Sequence, residues 1–327
     1  MSSKIAKIGV FTSGGDSPGM NAAIRAVVRT SVYHDIQCVG IFQGYEGLIA
    51  GDFKKLHVRS VARILGRGGT ILKSARSAEF HTKEGRQKAY EQVKKHGLDA
   101  LVAIGGNGTF TGASIFHEEF GVPIIGVPGT IDNDLWGSDY TIGYDTATNT
   151  VIDAIDKIRD TANSHNRLFF VEVMGRDAGF IALSAGISTG AIAVMMPEEN
   201  QSIDDLIAIL EKGAESNKTS SIVIVAEGDA NGGAMEVAAK VNQKYSEYET
   251  RVTVLGHIQR GGAPSALDRV LASRMGVAAV EGLLNGHQNE MIGIVHNKEV
   301  FHPLKDVVSK KAVPNPEEVR ISKILSI

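Results

Sequence analysis

Short apolar runs that end in glycine-rich turns, each leading into a helical segment, recur along the whole chain. This repeat restricts the fold more than any other feature. Residues 5–11 run into Thr12-Ser13-Gly14-Gly15-Asp16-Ser17-Pro18-Gly19, and Met20–Tyr33 then reads as a helix with Arg25 and Arg29 four apart on one face. Residues 98–104 run into Gly105-Gly106-Asn107-Gly108-Thr109, ahead of a helix reaching Glu119. Residues 169–173 run into Met174-Gly175-Arg176-Asp177 and a further helix. Strands at 192–196, 221–226, 251–255 and 291–295 alternate with helices at 203–214 and 266–284 and with one that ends at Tyr245. Such alternation argues parallel sheets with helices on both faces. So many units imply an α/β protein of two doubly wound, Rossmann-like domains, with the active site in the cleft between them, where polar strand ends gather.

The chain has 37 glycines, and the pairs Gly14-Gly15, Gly68-Gly69, Gly105-Gly106 and Gly261-Gly262 fall at the ends of apolar runs, where loops meet a ligand. A flexible linker would instead scatter glycine among serine and proline. A net charge of −3 gives no global basic field, so nucleic acid is not an expected partner. No apolar run approaches the ~20 residues a membrane crossing needs, and residues 1–7 lack the apolar core of a signal peptide. Cys38 is the only cysteine, which excludes an intramolecular disulfide. It reads as a buried, inert thiol. A cytoplasmic protein is the expectation.

The stretch Pro128-Gly129-Thr130-Ile131-Asp132-Asn133-Asp134 follows the apolar run 122–127 and collects polar atoms at a strand's C-terminal end. Asp132 and Asp134 are two apart, so an extended segment would point both carboxylates the same way. One then suits a general base while the other holds a metal or tunes the first. The turns at 14–19, 105–109 and 174–177 are of the kind whose backbone N–H groups suit phosphate. The Gly-Lys pair of a P-loop occurs nowhere in the chain. Arg76, Arg167, Arg176, Arg251 and Arg260 lie at or near strand ends, and as a set they suit a phosphorylated substrate. The 105–112 segment nearly matches a dinucleotide fingerprint, but Thr111 stands in place of the last glycine. A nicotinamide-dependent oxidoreductase would not account for the arginines.

Taken together, Thr12–Asp16, Pro18–Arg25, Gly68-Gly69-Thr70, Ser74-Ala75-Arg76, Pro128–Asp134, Met174-Gly175-Arg176 and Gly256–Gly262 resemble the bacterial 6-phosphofructokinase family in order and spacing, over nearly the whole chain. The resemblance weakens beyond about residue 300. It implies ATP-dependent phosphorylation of fructose 6-phosphate to the 1,6-bisphosphate, the committed step of glycolysis, with Mg²⁺. It implies a larger ATP-binding domain of residues 1–143 plus 259–306 and a smaller sugar-phosphate domain of 144–258 plus 307–327. By the same resemblance, Asp132 takes the proton from the 1-hydroxyl, Asp134 supports it, Thr130 and Gly15 contact reacting groups, and Arg176 stabilises the moving phosphoryl. Gly15, Arg76, Ser77, Gly106, Asn107, Gly108 and Thr109 correspond to the ATP site. Thr130, Ile131, Asp132, Met174, Gly175, Arg176, Glu227, His257, Ile258, Gln259 and Arg260 correspond to the sugar-phosphate site. Arg167 and Arg251 correspond to groups lent by a neighbouring subunit, which implies a homotetramer with shared substrate sites.

Three departures sharpen the reading. Pyrophosphate-using relatives carry an acid at the fourth position of the 105–108 loop and a lysine within the Pro-Gly-Thr element; this chain has Gly108 and Gly129, so ATP is the expected donor, with pyrophosphate the alternative. The family's usual aspartate at a Mg²⁺-associated position is Asn107, which keeps a carbonyl oxygen but no charge. That raises the further alternative of a weakly catalytic regulatory homologue, against which stand Asp132, Asp134 and Arg176. At the effector site, Arg25, Arg29, Arg159 and Lys218 match the family, whereas Ser216 and Ser220 replace basic groups and Ile192 replaces a glutamate. A degenerate effector site is expected.

Overall fold

The computed structural model describes residues 5–162, 167–215, 220–245 and 247–326. In chain order the elements are β1 (Lys7–Thr12), α1 (Met20–Tyr33), β2 (Gln37–Ile41), α2 (Gly44–Ala50), β3 (Phe53–Leu56), α3 (Lys83–Lys95), β4 (Ala100–Gly105), α4 (Asn107–Phe120), β5 (Ile124–Thr130), β6 (Ile142–Gly143), α5 (Tyr144–Ala162), β7 (Arg167–Val173), α6 (Phe180–Thr189), β8 (Ala193–Met195), α7 (Ile203–Glu215), β9 (Ser220–Ala226), α8 (Ala234–Lys244), β10 (Glu249–Val254), α9 (Ala266–Leu284), β11 (Glu290–Val295), β12 (Lys298–Pro303), α10 (Leu304–Ser309) and α11 (Pro316–Leu325). The chain divides into two compact units, residues 1–131, 135–146 and 260–312, and residues 132–134, 147–259 and 313–327.

In the first unit the sheet runs β12-β11-β5-β4-β1-β2-β3, with β6 paired to β5. The inner pairs are parallel. Side chains of adjacent strand residues enter opposite layers. Ile8 and Val10 join α1 and α9 residues such as Ile24, Val27, Met275 and Val280 in one core. Phe11, Leu101 and Ala103 join Leu48, Phe110 and Phe116 in the other. A strand buried on both faces reads as an unbroken apolar run, which is why β1, β4 and β5 stand out in the sequence. β1 separates β2 from β4, so the chain leaves β1 and β4 toward opposite sides of the sheet. The crevice at their carboxyl ends is the ligand position expected of such a sheet.

In the second unit β10-β7-β9-β8 form a wholly parallel sheet. Leu168, Phe170, Val223 and Val225 pack there with Leu206 and Leu210 of α7 and Val237 and Val241 of α8.

The architecture departs from the sequence expectation at its margins. β3 and β12 are antiparallel edge strands. Residues 44–50, for which the sequence pattern gives no element, form a helix. Cys38 is buried, and burial pushes its thiol up to about 12. The sequence pattern predicts a helix over 145–165; α5 covers it as far as Ala162, and its expected end at His165 lies outside the described residues.

Candidate functional site

In the first unit the loops after β1 and β4 meet the glycine-rich segment 66–73. Thr12 Oγ1 donates to the Lys73 carbonyl at 2.8 Å. Asn21 Nδ2 donates to the Arg67 and Gly68 carbonyls, and its Oδ1 accepts the Ile71 N–H at 2.8 Å. These bonds pin the glycine-rich segment 66–73 beside β1. Gly105 ends β4 at a backbone approach that excludes a side chain, since a Cβ would lie 2.5 Å from the Ser13 carbonyl oxygen. Gly106 N-caps α4, so Asn107, Gly108 and Thr109 occupy its first turn, where the direction of the N–H groups and the helix dipole favour an anion. A Cβ on Gly108 would meet nothing within 4 Å. Thr109 Oγ1 is buried with no hydrogen-bond partner, and a Cβ on Gly14 would lie 3.7 Å from it. An orphaned buried hydroxyl between two phosphate-type loops fits a ligand oxygen. Gly15 faces Arg260, whose Nη1 would lie 2.6 Å from a Cβ there and donates to the Asp16 carbonyl at 3.2 Å. Arg260, expected on the sugar phosphate, thus has its guanidinium on the loop assigned to ATP. Arg76 is exposed, and Ser77 Oγ accepts the Phe80 N–H at 3.3 Å.

Thr130 closes β5 and is buried, paired across β6 with Gly143. Ile131 is wholly buried, so only its backbone is available to a ligand. Asp132 and Asn133 are also buried, and Asn133 has φ 53°. This left-handed residue breaks the extended path between Asp132 and Asp134. The expectation that both carboxylates point one way by strand alternation is therefore corrected: a single αL residue cancels the period-two rule.

In the second unit the loops after β7, β9 and β10 form one network. Gly175 has φ 150°, and a Cβ there would stand 2.3 Å from the Ala178 carbonyl oxygen. Arg176 has φ 55° and is exposed. Glu227 Oε1 accepts the Arg176 N–H at 2.7 Å and the Gly175 N–H at 3.3 Å, fixing this turn. Glu198 accepts the Gly179 N–H at 2.9 Å. Gln259 is fully buried; its Oε1 accepts the Met174 N–H at 3.1 Å and its Nε2 donates to the Gly256 carbonyl. Its side chain, expected to touch substrate, is engaged in holding the β7 and β10 loops together. His257 and Ile258 are exposed. Arg167 and Arg251 both donate to Glu249, Arg167 through Nε at 2.8 Å. The hydrogen bond from Arg167, then the charges of both arginines, hold the Glu249 carboxyl below its ordinary range.

Of the effector set, Arg25 is half-buried on α1, and burial together with the like charge of Arg29 lowers its pKa. Arg159, in the second unit, donates to the Thr189 carbonyl. Ile192 is buried. Lys218 and Ser216 lie outside the described residues.

Sequence reasoning missed Asp268, Glu172 and Glu198. Glu172 Oε2 accepts the Ala234 N–H at the start of α8 at 2.8 Å. No local pattern marks such groups, because their partners lie 19 to 125 positions away. Among the described residues no helix is long and apolar enough to cross a membrane, and no three His, Cys, Asp or Glu side chains are grouped to hold a metal.

Residues 7–283 match the profile of the family described as Phosphofructokinase. The chain is 54% identical over 320 residues to ATP-dependent 6-phosphofructokinase 2 of Bacteroides thetaiotaomicron, covering 98% of each. It is 54% identical over 321 residues to ATP-dependent 6-phosphofructokinase 1 of Thermus thermophilus, covering 98% of this chain and 99% of that one. Phosphofructokinase from Saccharomyces cerevisiae superposes with a TM-score of 0.88 at 38% identity over 93% of this chain, which spans only 45% of the yeast chain. The pyrophosphate-dependent phosphofructokinase of Marinobacter aquaeolei, at 22% identity and a TM-score of 0.82 over 99% of this chain and 92% of that one, shares the fold.

Proposed function

The chain belongs to the phosphofructokinase family, and we propose that the residues gathered at its strand ends carry an ATP-dependent phosphorylation of fructose 6-phosphate. The observation that carries the activity is identity of 54% along 98% of the chain to relatives named for it. Each unit supplies one half of the chemistry. In the first, the 14–19 loop, Arg76, Ser77 and the α4 N-terminus (Gly106, Asn107, Gly108, Thr109) bind the nucleotide. Open space at Gly108 favours ATP over pyrophosphate, since a larger side chain there would fill the room a further phosphate needs. In the second, Met174, Gly175, Glu227 and His257 bind the sugar phosphate, with Arg260 added at the loop junction.

Phosphoryl transfer asks the protein for alignment and for positive charge where the equatorial oxygens develop negative charge. Asp132 accepts the proton of the 1-hydroxyl as that oxygen bonds to the γ-phosphorus, and the bond to the β-bridging oxygen breaks to release ADP. Asp134 supports Asp132. Arg176, its backbone pinned by Glu227, presents the guanidinium to the moving group. Mg²⁺, when bound, neutralises phosphate charge. Asn107 at the α4 start offers a neutral carbonyl oxygen, which fits an ion held mainly by phosphate and water. Arg167 and Arg251, on adjacent strands and sharing Glu249, reach the 6-phosphate of a neighbouring subunit in a cytoplasmic homotetramer.

An assay coupling fructose 1,6-bisphosphate formation to NADH oxidation tests the donor. Turnover with ATP and Mg²⁺ but not with pyrophosphate is the expected result. Turnover confined to pyrophosphate would overturn it.

A further inference from the structure

Asp268 is a buried acid that the reading above leaves without a task. It lies in the first turn of α9, three residues after Ser265, whose Oγ caps the helix by accepting the Asp268 N–H at 3.2 Å. In sequence it resembles an ordinary first-turn acid facing water. In the structure it is fully buried. Its Oδ1 accepts the Gly143 N–H at 2.8 Å, and its Oδ2 accepts the Thr146 N–H at 2.9 Å and the Thr146 hydroxyl at 2.5 Å. Burial pushes its carboxyl above the usual range, although the bonds from Thr146 and Gly143 pull it down. Ser265 already caps the helix, and an apolar side chain would pack its base without desolvating a charge. What the carboxylate adds is a fixed place for Gly143 and Thr146.

Gly143 stands at a junction. It has φ 107°, and a Cβ there would lie 2.6 Å from Ser17 Cβ and 3.2 Å from Pro18 Cδ, so its backbone rests on the phosphate loop. Ser17 Oγ donates to the carbonyl of the preceding Ile142 at 2.8 Å. Gly19, at φ 107°, packs so closely on Ile142 that a Cβ would come within 2.6 Å of its Cγ2, and within 3.6 Å of Asp268 Cβ. On its other side Gly143 is the strand partner of Thr130, whose carbonyl also accepts the Thr141 hydroxyl at 2.7 Å. One carboxylate therefore holds the residue that touches both the nucleotide loop and the strand end that leads into Asp132.

We infer that Asp268 is a positioning residue for phosphoryl transfer: through Gly143 it sets the 14–19 loop in register with Thr130. The inference rests on the assignment of loop 14–19 to the nucleotide and of residues 130–134 to the chemistry. In Asp268→Asn one backbone N–H of the pair Gly143 and Thr146 faces an NH₂ donor, so the junction must shift.

The test compares kcat, both KM values and the melting temperature of Asp268→Asn, Thr146→Val, Thr146→Ser and Val280→Ala, with Asp132→Asn as the catalytic reference. Val280 is a buried α9 residue in the apolar core and serves as a stability control. The expected result is that folded Asp268→Asn loses about 10- to 100-fold in kcat, the scale of a small misalignment, with KM for fructose 6-phosphate little changed. Thr146→Val should move kcat the same way, Thr146→Ser should restore it, and Val280→Ala should lower the melting temperature alone. If Asp268→Asn does not fold, the Thr146 pair decides. Wild-type kcat in Thr146→Val, or in folded Asp268→Asn, would overturn the inference and leave Asp268 a structural acid. A wild-type kcat in Asp132→Asn would instead remove the site assignment on which it rests.

Discussion

Arg176, assigned to the chemistry, and Asn133, between Asp132 and Asp134, hold left-handed backbones, at φ 55° and φ 53°. A branched or long side chain in that region costs on the order of 1–3 kcal/mol, so the turn at Arg176 trades stability for placement of a guanidinium. Arg176→Gly relieves the backbone and removes the cation. Its melting temperature should equal or exceed that of the parent while kcat falls on the order of 10²–10³-fold, the scale of a lost transition-state donor. A parallel fall in both would mean that the turn, and not the side chain, carries the effect. Asn107→Asp restores a charge at the α4 start. A titration of activity against Mg²⁺ should then give a shifted half-activating concentration with turnover retained; an identical titration would separate residue 107 from the metal. At this scale the sequence was only partly legible. Gly129, Thr130 and Asp132 stood out because glycine and short polar side chains at a strand end have a local meaning. The engagement of Gln259 within the fold and the junction at Asp268 did not stand out, because they depend on partners 85 and 125 positions away.

Helices and inner strands were the legible elements. Met20–Tyr33 and Ala266–Leu284 keep the bounds read from pattern alone, and β1, β4 and β5 are continuous apolar runs. The missed elements lacked a periodic signal. β3 is four residues with two lysines, and β12 is a partly exposed edge. α2 contains Gly44 and Gly47, and a Cβ at Gly47 would lie 1.6 Å from the Phe42 carbonyl oxygen. Glycine at 47 is what lets the helix pack against the residue that follows β2. Ion pairs between elements also set a pH limit. Arg86 of α3 grips Glu119 of α4 through Nε at 2.7 Å and Nη2 at 2.8 Å, and this bond holds the Glu119 carboxyl below its ordinary range. A depressed carboxyl contributes stability that is present above the unfolded value of about 4.3 and is lost as pH falls through the lower folded value. Glu119→Gln should therefore lower the melting temperature at pH 7 and narrow the gap to wild type toward pH 3. A gap of constant size across that range would mean that the ion pair contributes nothing.

For the whole molecule, the proposed roles of Arg167 and Arg251 place them at a site shared between copies of the chain. Arg167→Ala and Arg251→Ala should mainly raise KM for fructose 6-phosphate, and mixing either with Asp132→Asn should recover part of the activity. Demonstrated mixed oligomers with no recovery would exclude sharing. If Ile192 stands in an effector site for phosphoenolpyruvate and ADP, as the family resemblance implies, millimolar amounts of either should leave half-saturation nearly unchanged, because an apolar side chain cannot distinguish the two ligands by charge. A large shift abolished by Arg25→Ala would contradict that. Whether Asp132 acts as the base for attack on ATP is decided by the kcat of Asp132→Asn at saturating ATP, Mg²⁺ and fructose 6-phosphate. Loss of the base should lower kcat on the order of 10²–10⁴-fold with substrate affinities changed far less. A kcat near that of the unaltered protein would remove Asp132 from the proton transfer.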